Sequence, residues 1–127
     1  MPTDFTIDPE HHLVISRGSG VFTHADYLDH MSRVGADPKF RPDFNQLVDC
    51  RAISQMDLSG GQISDLAGRS VFGDLSRRAF VVSSEVQFGL TRMFATYREM
   101  KGGQEIQVFR TMPEALSWLG LPPDLVD

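Results

Sequence analysis

The sequence predicts an α/β fold: a five-stranded, mostly parallel sheet with one antiparallel strand and four helices, in the order β-β-α-β-α-β-α-β-α. Three observations predict it. Short apolar runs alternate with stretches of helical spacing, capping-box spacings occur at Ser59 with Gln62, Ser84 with Gln87 and Thr111 with Glu114, and Gly or Pro punctuates the ends. Strands that alternate with helices need right-handed crossovers, which lay the strands parallel. At 127 residues the chain, 1–127, is expected to form one domain around one core.

The elements follow in order. Phe5-Thr6-Ile7 alternates apolar and polar, Asp8-Pro9-Glu10-His11 supplies turn chemistry, and His12 to Ser16 returns as a second strand, giving an antiparallel hairpin. Gly18, Ser19 and Gly20 should interrupt that strand. Thr23 can then cap a helix whose apolar positions are Tyr27, Leu28, Met31 and Val34, and Asp37-Pro38 ends it, because Pro disfavours the α region for the residue before it. Gln46 to Cys50 reads as a buried strand, and Ala52 to Leu58 as a turn-prone stretch. Ser59 precedes a second helix, expected from about Gly60 to Phe72, with Ile63, Leu66, Ala67, Ser70 and Val71 facing inward. Ala79 to Val82 is the next strand. A third helix follows Ser84, with Val86, Leu90, Met93, Phe94 and Tyr97 as its inward stripe and Gly102-Gly103 at its end. Ile106 to Phe109 is the last strand, and Thr111 caps a final helix that buries Ala115, Leu116 and Leu119 and stops at Gly120.

Composition removes several functions. Twelve Lys and Arg against 17 Asp and Glu give a formal charge of −5, only Lys39 and Lys101 are lysines, and the arginines are scattered among acids. Such a surface repels phosphate backbones, so nucleic acid is not an expected partner. The single Cys50 cannot form an internal disulfide. No stretch reaches the ~20 apolar residues that span a bilayer, and the first residues lack a signal peptide's basic and apolar regions. A cytoplasmic protein with no membrane insertion is expected.

This order, with Phe5-Thr6-Ile7-Asp8, Gln46-Leu47-Val48-Asp49-Cys50-Arg51, Phe88-Gly89-Leu90-Thr91-Arg92-Met93-Phe94, and Ile106-Gln107-Val108-Phe109-Arg110 leading to Ala115-Leu116-Ser117-Trp118-Leu119, resembles the bacterial SpoIIAA-like proteins. That branch is related to the STAS domains of anti-sigma-factor antagonists and distantly to the lipid-transfer CRAL-TRIO domains. In the antagonists a partner kinase phosphorylates the second serine of an Asp-Ser-Ser-Gly loop at the start of a helix. The matching stretch here is Asp57-Leu58-Ser59-Gly60, with Leu58 in place of the first serine. The resemblance thus implies a single SpoIIAA/STAS-like domain with Ser59 in the regulatory position.

Ser59 also has a purely structural reading. As an N-cap its hydroxyl satisfies an otherwise unpaired backbone N–H, worth ~1 kcal/mol. As a phosphosite it would place about −1.5 to −2 of charge where the helix dipole tolerates it. The carboxyl edge of a parallel sheet is the usual ligand site, so Asp49, Cys50, Arg51, Ser59, Ser83, Ser84 and Phe88 are expected near it. Phe88 falls about 200° from the inward stripe of its helix and is a candidate contact, with Arg92 one turn beyond it. Phe72 is off its own stripe, and Gly89 should mark a close packing contact. Cys50 reads as a buried, inert thiol. His11 and His12 are adjacent in a turn, and His24 and His30 lie about 240° apart around one helix, so no shared metal site is expected. No catalytic constellation and no cofactor motif is present in the sequence.

The expected function is a non-enzymatic domain that binds a protein partner, a regulator or a kinase, through Asp57, Leu58, Ser59, Gly60, Phe88, Arg92, Asp49 and Arg51. A homodimer is compatible with this. The alternative is a carrier or sensor of a small apolar or amphipathic ligand held between sheet and helices. A third reading is an enzyme using Cys50 or a carboxylate in that cleft.

Overall fold

A computed structural model of the chain describes residues 3–103 and 105–126. The elements are β1 (Thr3–Asp8), β2 (Leu13–Thr23), α1 (His24–Ala36), β3 (Asn45–Asp57), α2 (Gly60–Ala67), β4 (Arg77–Val81), α3 (Glu85–Met100), β5 (Glu105–Phe109) and α4 (Met112–Leu119). This is the expected order. The sheet runs β1-β2-β3-β4-β5, with β1 antiparallel to β2 and the other pairs parallel. The hairpin turn is held by Asp8, whose carboxylate accepts from the His11 backbone N–H at 3.1 Å, and by His12, which takes the left-handed conformation with φ 51°.

Alternation along the strands sorts the core into two layers. Val14, Cys50, Phe80, Val82 and Val108 pack with α1, α2 and α3 on one face, and Leu13, Ile15, Leu47, Ala79 and Val81 pack with α4 on the other. Thr23, Ser59, Ser84 and Thr111 all N-cap their helices, each hydroxyl accepting a backbone N–H three residues on. Gly120 ends α4 in the left-handed conformation, with φ 71°.

Four expectations change. β2 does not stop at Gly18: register shifts between Arg17 and Ser19 and between Gly20 and Val21 absorb the irregularity, Gly20 taking φ +67°. The stretch from Ala52 to Asp57 is strand, because it pairs with this prolonged β2, and Ile53 faces inward while Ser54, Gln55 and Asp57 stay exposed. β4 ends opposite Asp49, so β2 and β3 project beyond the rest of the sheet as a two-stranded parallel extension. Gly68 caps α2 early, leaving Phe72 in the following loop, where it is buried edge-on against Phe40 at 5.3 Å.

The fourth change concerns α3. Its buried residues are Gln87, Thr91 and Phe94, while Val86 is 74% and Met93 38% exposed. Polar side chains occupy the inner face because the fold gives them partners: Gln87 Nε2 donates to the Ile53 carbonyl at 2.8 Å, and Thr91 Oγ1 donates back to the Gln87 carbonyl at 2.8 Å. Gly89 lies on the exposed side, where a methyl group would meet nothing within 4 Å, so the expected close contact is not there. Gly89→Ala should therefore stabilise the protein by about 0.4–1 kcal/mol, read as a higher urea midpoint at unchanged slope.

Candidate functional site

Arg78, the second residue of β4, is completely buried. It stands in register with Gln46 on β3, which stands in register with Val14 on β2, so their side chains share the α1–α3 face. Arg78 Nε donates to Gln46 Oε1 at 2.8 Å, and Nη2 donates to the Tyr27 hydroxyl of α1 at 3.0 Å. Gln46 Nε2 in turn donates to Ser16 Oγ at 3.0 Å, and His30 lies 2.7 Å from the same oxygen and 3.2 Å from Thr3 Oγ1. A polar seam thus crosses the core from β1 to β4. Burial, reinforced by the positive Arg33, pulls the His30 pKa from 6.5 down to about 4, so the imidazole is neutral at pH 7. The Phe72, Phe80 and Phe94 ring centroids lie 5.0, 5.6 and 5.6 Å from the Arg78 guanidinium carbon.

Beside this seam lies a cavity of about 70 Å³ between the sheet and α1, α2 and α3. Its wall is almost wholly apolar, with Met31 and Leu90 among the lining residues, and Arg78, Tyr27, Gln46 and His30 border it chiefly through carbon. Leu58 also lines it, which explains the residue that departs from the antagonist motif: its side chain is half-buried and packs inward.

The next residue, Ser59, is exposed. Its Oγ accepts the Gln62 backbone N–H at 3.1 Å, and Gln62 Oε1 accepts the Ser59 backbone N–H at 2.9 Å, a complete capping box. Asp57 ends β3, and Gly60 and Gly61 open α2 with free space around them. Asp57, Leu58, Ser59 and Gly60 are therefore together at the carboxyl edge.

Asp49, with Arg51 just past it, is level with the last residues of β4 and β5, at the carboxyl end of those strands, while β3 runs on beyond them. They lie mid-strand on β3, Asp49 about 25 Å of extended chain before Asp57, and on the face opposite Cys50. Both Asp49 oxygens accept from Arg51 at 2.9 Å. Burial raises the Asp49 pKa, but hydrogen bonding to Arg51 and nearby positive charge outweigh it and hold the carboxyl below its usual range. Arg17 on β2 is the cross-strand neighbour of both Asp49 and Asp4, so charge alternates across three strands.

Phe88 and Arg92 do not form the expected pair. Phe88 is half-buried against the core, and the cation over its ring is Arg110, 3.8 Å from the centroid and bound to both Glu85 oxygens at 2.9 Å. Arg92 is exposed. Cys50 is buried, and desolvation, with the Asp49 charge second, pushes its thiol up to about 12, far from a thiolate at neutral pH. The imidazoles are dispersed: His11 on Asp8, His12 stacked on Phe44, His24 on Asp65 and His30 in the core.

The seam around Arg78 was not among the sequence candidates. Arg77-Arg78 reads as the polar boundary of a strand beginning at Ala79, and the usable signal was the alternation Arg78, Phe80, Val82, which puts Arg78 on a buried face.

No family model and no curated protein matches the chain. In structure it is similar to a DUF3478-family protein from Shewanella loihica PV-4 that has a SpoIIAA-like fold, with 20% sequence identity and a TM-score of 0.59 over 92% of this chain and 93% of that one. The chain has a SpoIIAA-like fold. Among the described residues no helix is long and apolar enough to cross a membrane.

The His30 shift makes stability depend on pH. The unfolded imidazole takes up a proton near 6.5 and the folded one only near 4, so the contribution is full above 6.5 and is lost as pH falls from 6.5 to 4. Urea midpoints should show a loss on the order of 3 kcal/mol across that window, and His30→Gln should flatten it.

Proposed function

We propose that this domain is a non-enzymatic regulatory module that binds a protein partner at the carboxyl edge of its sheet and is switched by phosphorylation of Ser59. The observation that carries this reading is an exposed serine hydroxyl at the N-cap of α2, within a SpoIIAA-like fold and in the Asp57-Leu58-Ser59-Gly60 stretch that matches the antagonist loop. The glycines at 60 and 61 place no side chain beside it and have open space around them. Leu58 turns inward, so the outward polar groups of the loop are Asp57 and Ser59. A phosphate there would add about −1.5 to −2 of charge beside free helix amides, altering the surface without refolding the sheet. α3 packs beside α2, and its outward Val86 and Met93 supply apolar area for a partner, the part expected of Phe88.

A second reading, a carrier or sensor, is favoured by the cavity beside Arg78. Its volume of about 70 Å³ restricts it to a small ligand, since pockets for drug-sized molecules run to roughly 300–1,000 Å³.

Native mass spectrometry of protein purified from its own host should find phosphate mapped to Ser59. Ser59→Ala should lose about 1 kcal/mol with its cap, whereas Ser59→Asp should keep its stability and reproduce the partner affinity of the phosphorylated state. Equal partner binding by wild type and both variants overturns the switch.

A further inference from the structure

We propose that the outward face of α3 is a self-association surface, on which a second copy of this chain docks its own α3 antiparallel, about a two-fold axis at the level of Ala95. This goes beyond the Ser59 reading: it names the occupant of the apolar area on α3 and does not depend on phosphorylation.

α3 carries an apolar line that its own fold leaves uncovered. Val86, Met93 and Met100 recur every seven residues, which places them one above another along the helix, and they are 74%, 38% and 76% exposed. Gly89 and Thr96, also exposed, fall between them, so the line runs Val86, Gly89, Met93, Thr96, Met100 at alternating spacings of three and four. That is the pattern of a helix that packs along another helix, and it lies on the side of α3 turned away from the buried Gln87, Thr91 and Phe94.

Charge selects the occupant and its direction. Of the charged residues of α3, Glu85 is held by Arg110, and Arg98 donates to the Ala67 carbonyl at 2.8 Å. Arg92 and Glu99 are exposed, and their side chains make no ion pair or hydrogen bond among the described residues. Both flank the apolar line on the same side, and roughly 10 Å of helix rise keeps them too far apart to pair with each other. In an antiparallel pair of identical helices the same-side flanks face one another in reverse order. A two-fold axis at Ala95 therefore sets Arg92 opposite the partner's Glu99, and Glu99 opposite the partner's Arg92. One patch supplies both halves of two ion pairs.

The same register matches the side chains by size. Met93 meets the partner's Thr96 and Met100 meets the partner's Gly89, so long side chains enter the gaps that small ones leave. A parallel pair would instead set Met against Met and Gly89 against Gly89, with Arg92 beside the partner's Tyr97 and no opposite charge to meet.

A single helix face makes a small interface, so the dimer is a transient one with Kd on the order of 100 µM. Sedimentation equilibrium of the full chain, over a roughly hundredfold concentration range centred on that value, should show the mean mass rising from one chain toward two. Arg92→Glu sets like charges against each other and should raise Kd at least about tenfold. Combining it with Glu99→Arg reverses both members of each pair and should restore association to within about threefold of wild type. Met93→Glu should abolish association. All of these positions are exposed, and a cooperative urea transition verifies that each variant is folded. Ser59→Ala should associate as wild type does, so failure of the dimer and failure of the switch are read separately. The proposal is overturned if wild type stays monomeric throughout the range, if folded Arg92→Glu or Met93→Glu associates as tightly as wild type, or if the charge-reversed double variant associates no better than Arg92→Glu alone.

Discussion

The burial of one guanidinium organises this domain. Arg78 ties β4 to β3 through Gln46 and to α1 through Tyr27, and it sits against aromatic rings from β4, α3 and the loop after α2. An isolated buried ion costs several kcal/mol, so these contacts must be formed together or the charge is left exposed to a low-dielectric core. Two hydrogen bonds from a charged donor contribute about 1.5–3 kcal/mol each, which offsets much of that cost. The same bonds set the relative positions of three elements, and the polar seam continuing through Ser16 and His30 adds β2 and the remainder of α1 to the arrangement. Geometry at the centre of the sheet is consequently specified by direction-dependent bonds as well as by apolar packing.

Much of this architecture was legible in the sequence, because local signals carried it. Thr23, Ser59, Ser84 and Thr111 identify four helix starts through spacing alone, and Gly120 marks the last helix end. Errors arose where tertiary partners override local pattern. Gln87 and Thr91 look like surface residues of α3 until Ile53 and the helix backbone supply their hydrogen bonds, and Val86 and Met93 look buried until that rotation is known. Likewise the residues from 52 to 57 lack strand character until β2 runs alongside them.

The candidate site divides in the same way. Asp57, Leu58, Ser59 and Gly60 are contiguous, so their common place at the carboxyl edge followed from the chain itself. Arg51 with Asp49 stands at the carboxyl ends of β4 and β5 as the strand signal implies, but β3 continues past both and carries Asp57 to Gly60 further out. Arg110 over Phe88 depends on β5 ending beside α3, a proximity that no spacing within either segment announces.

The projecting ribbon of β2 and β3 leaves the outer half of β3 without β4 beside it. A strand margin of this kind is a template on which another chain can add a strand. Gln87 reaches across from α3 and donates to the carbonyl of Ile53 on this outer half of β3, so that acceptor is met by a side-chain amide. The polar residue that disrupts the inner face of α3 thereby satisfies a strand carbonyl that lies beyond the reach of β4.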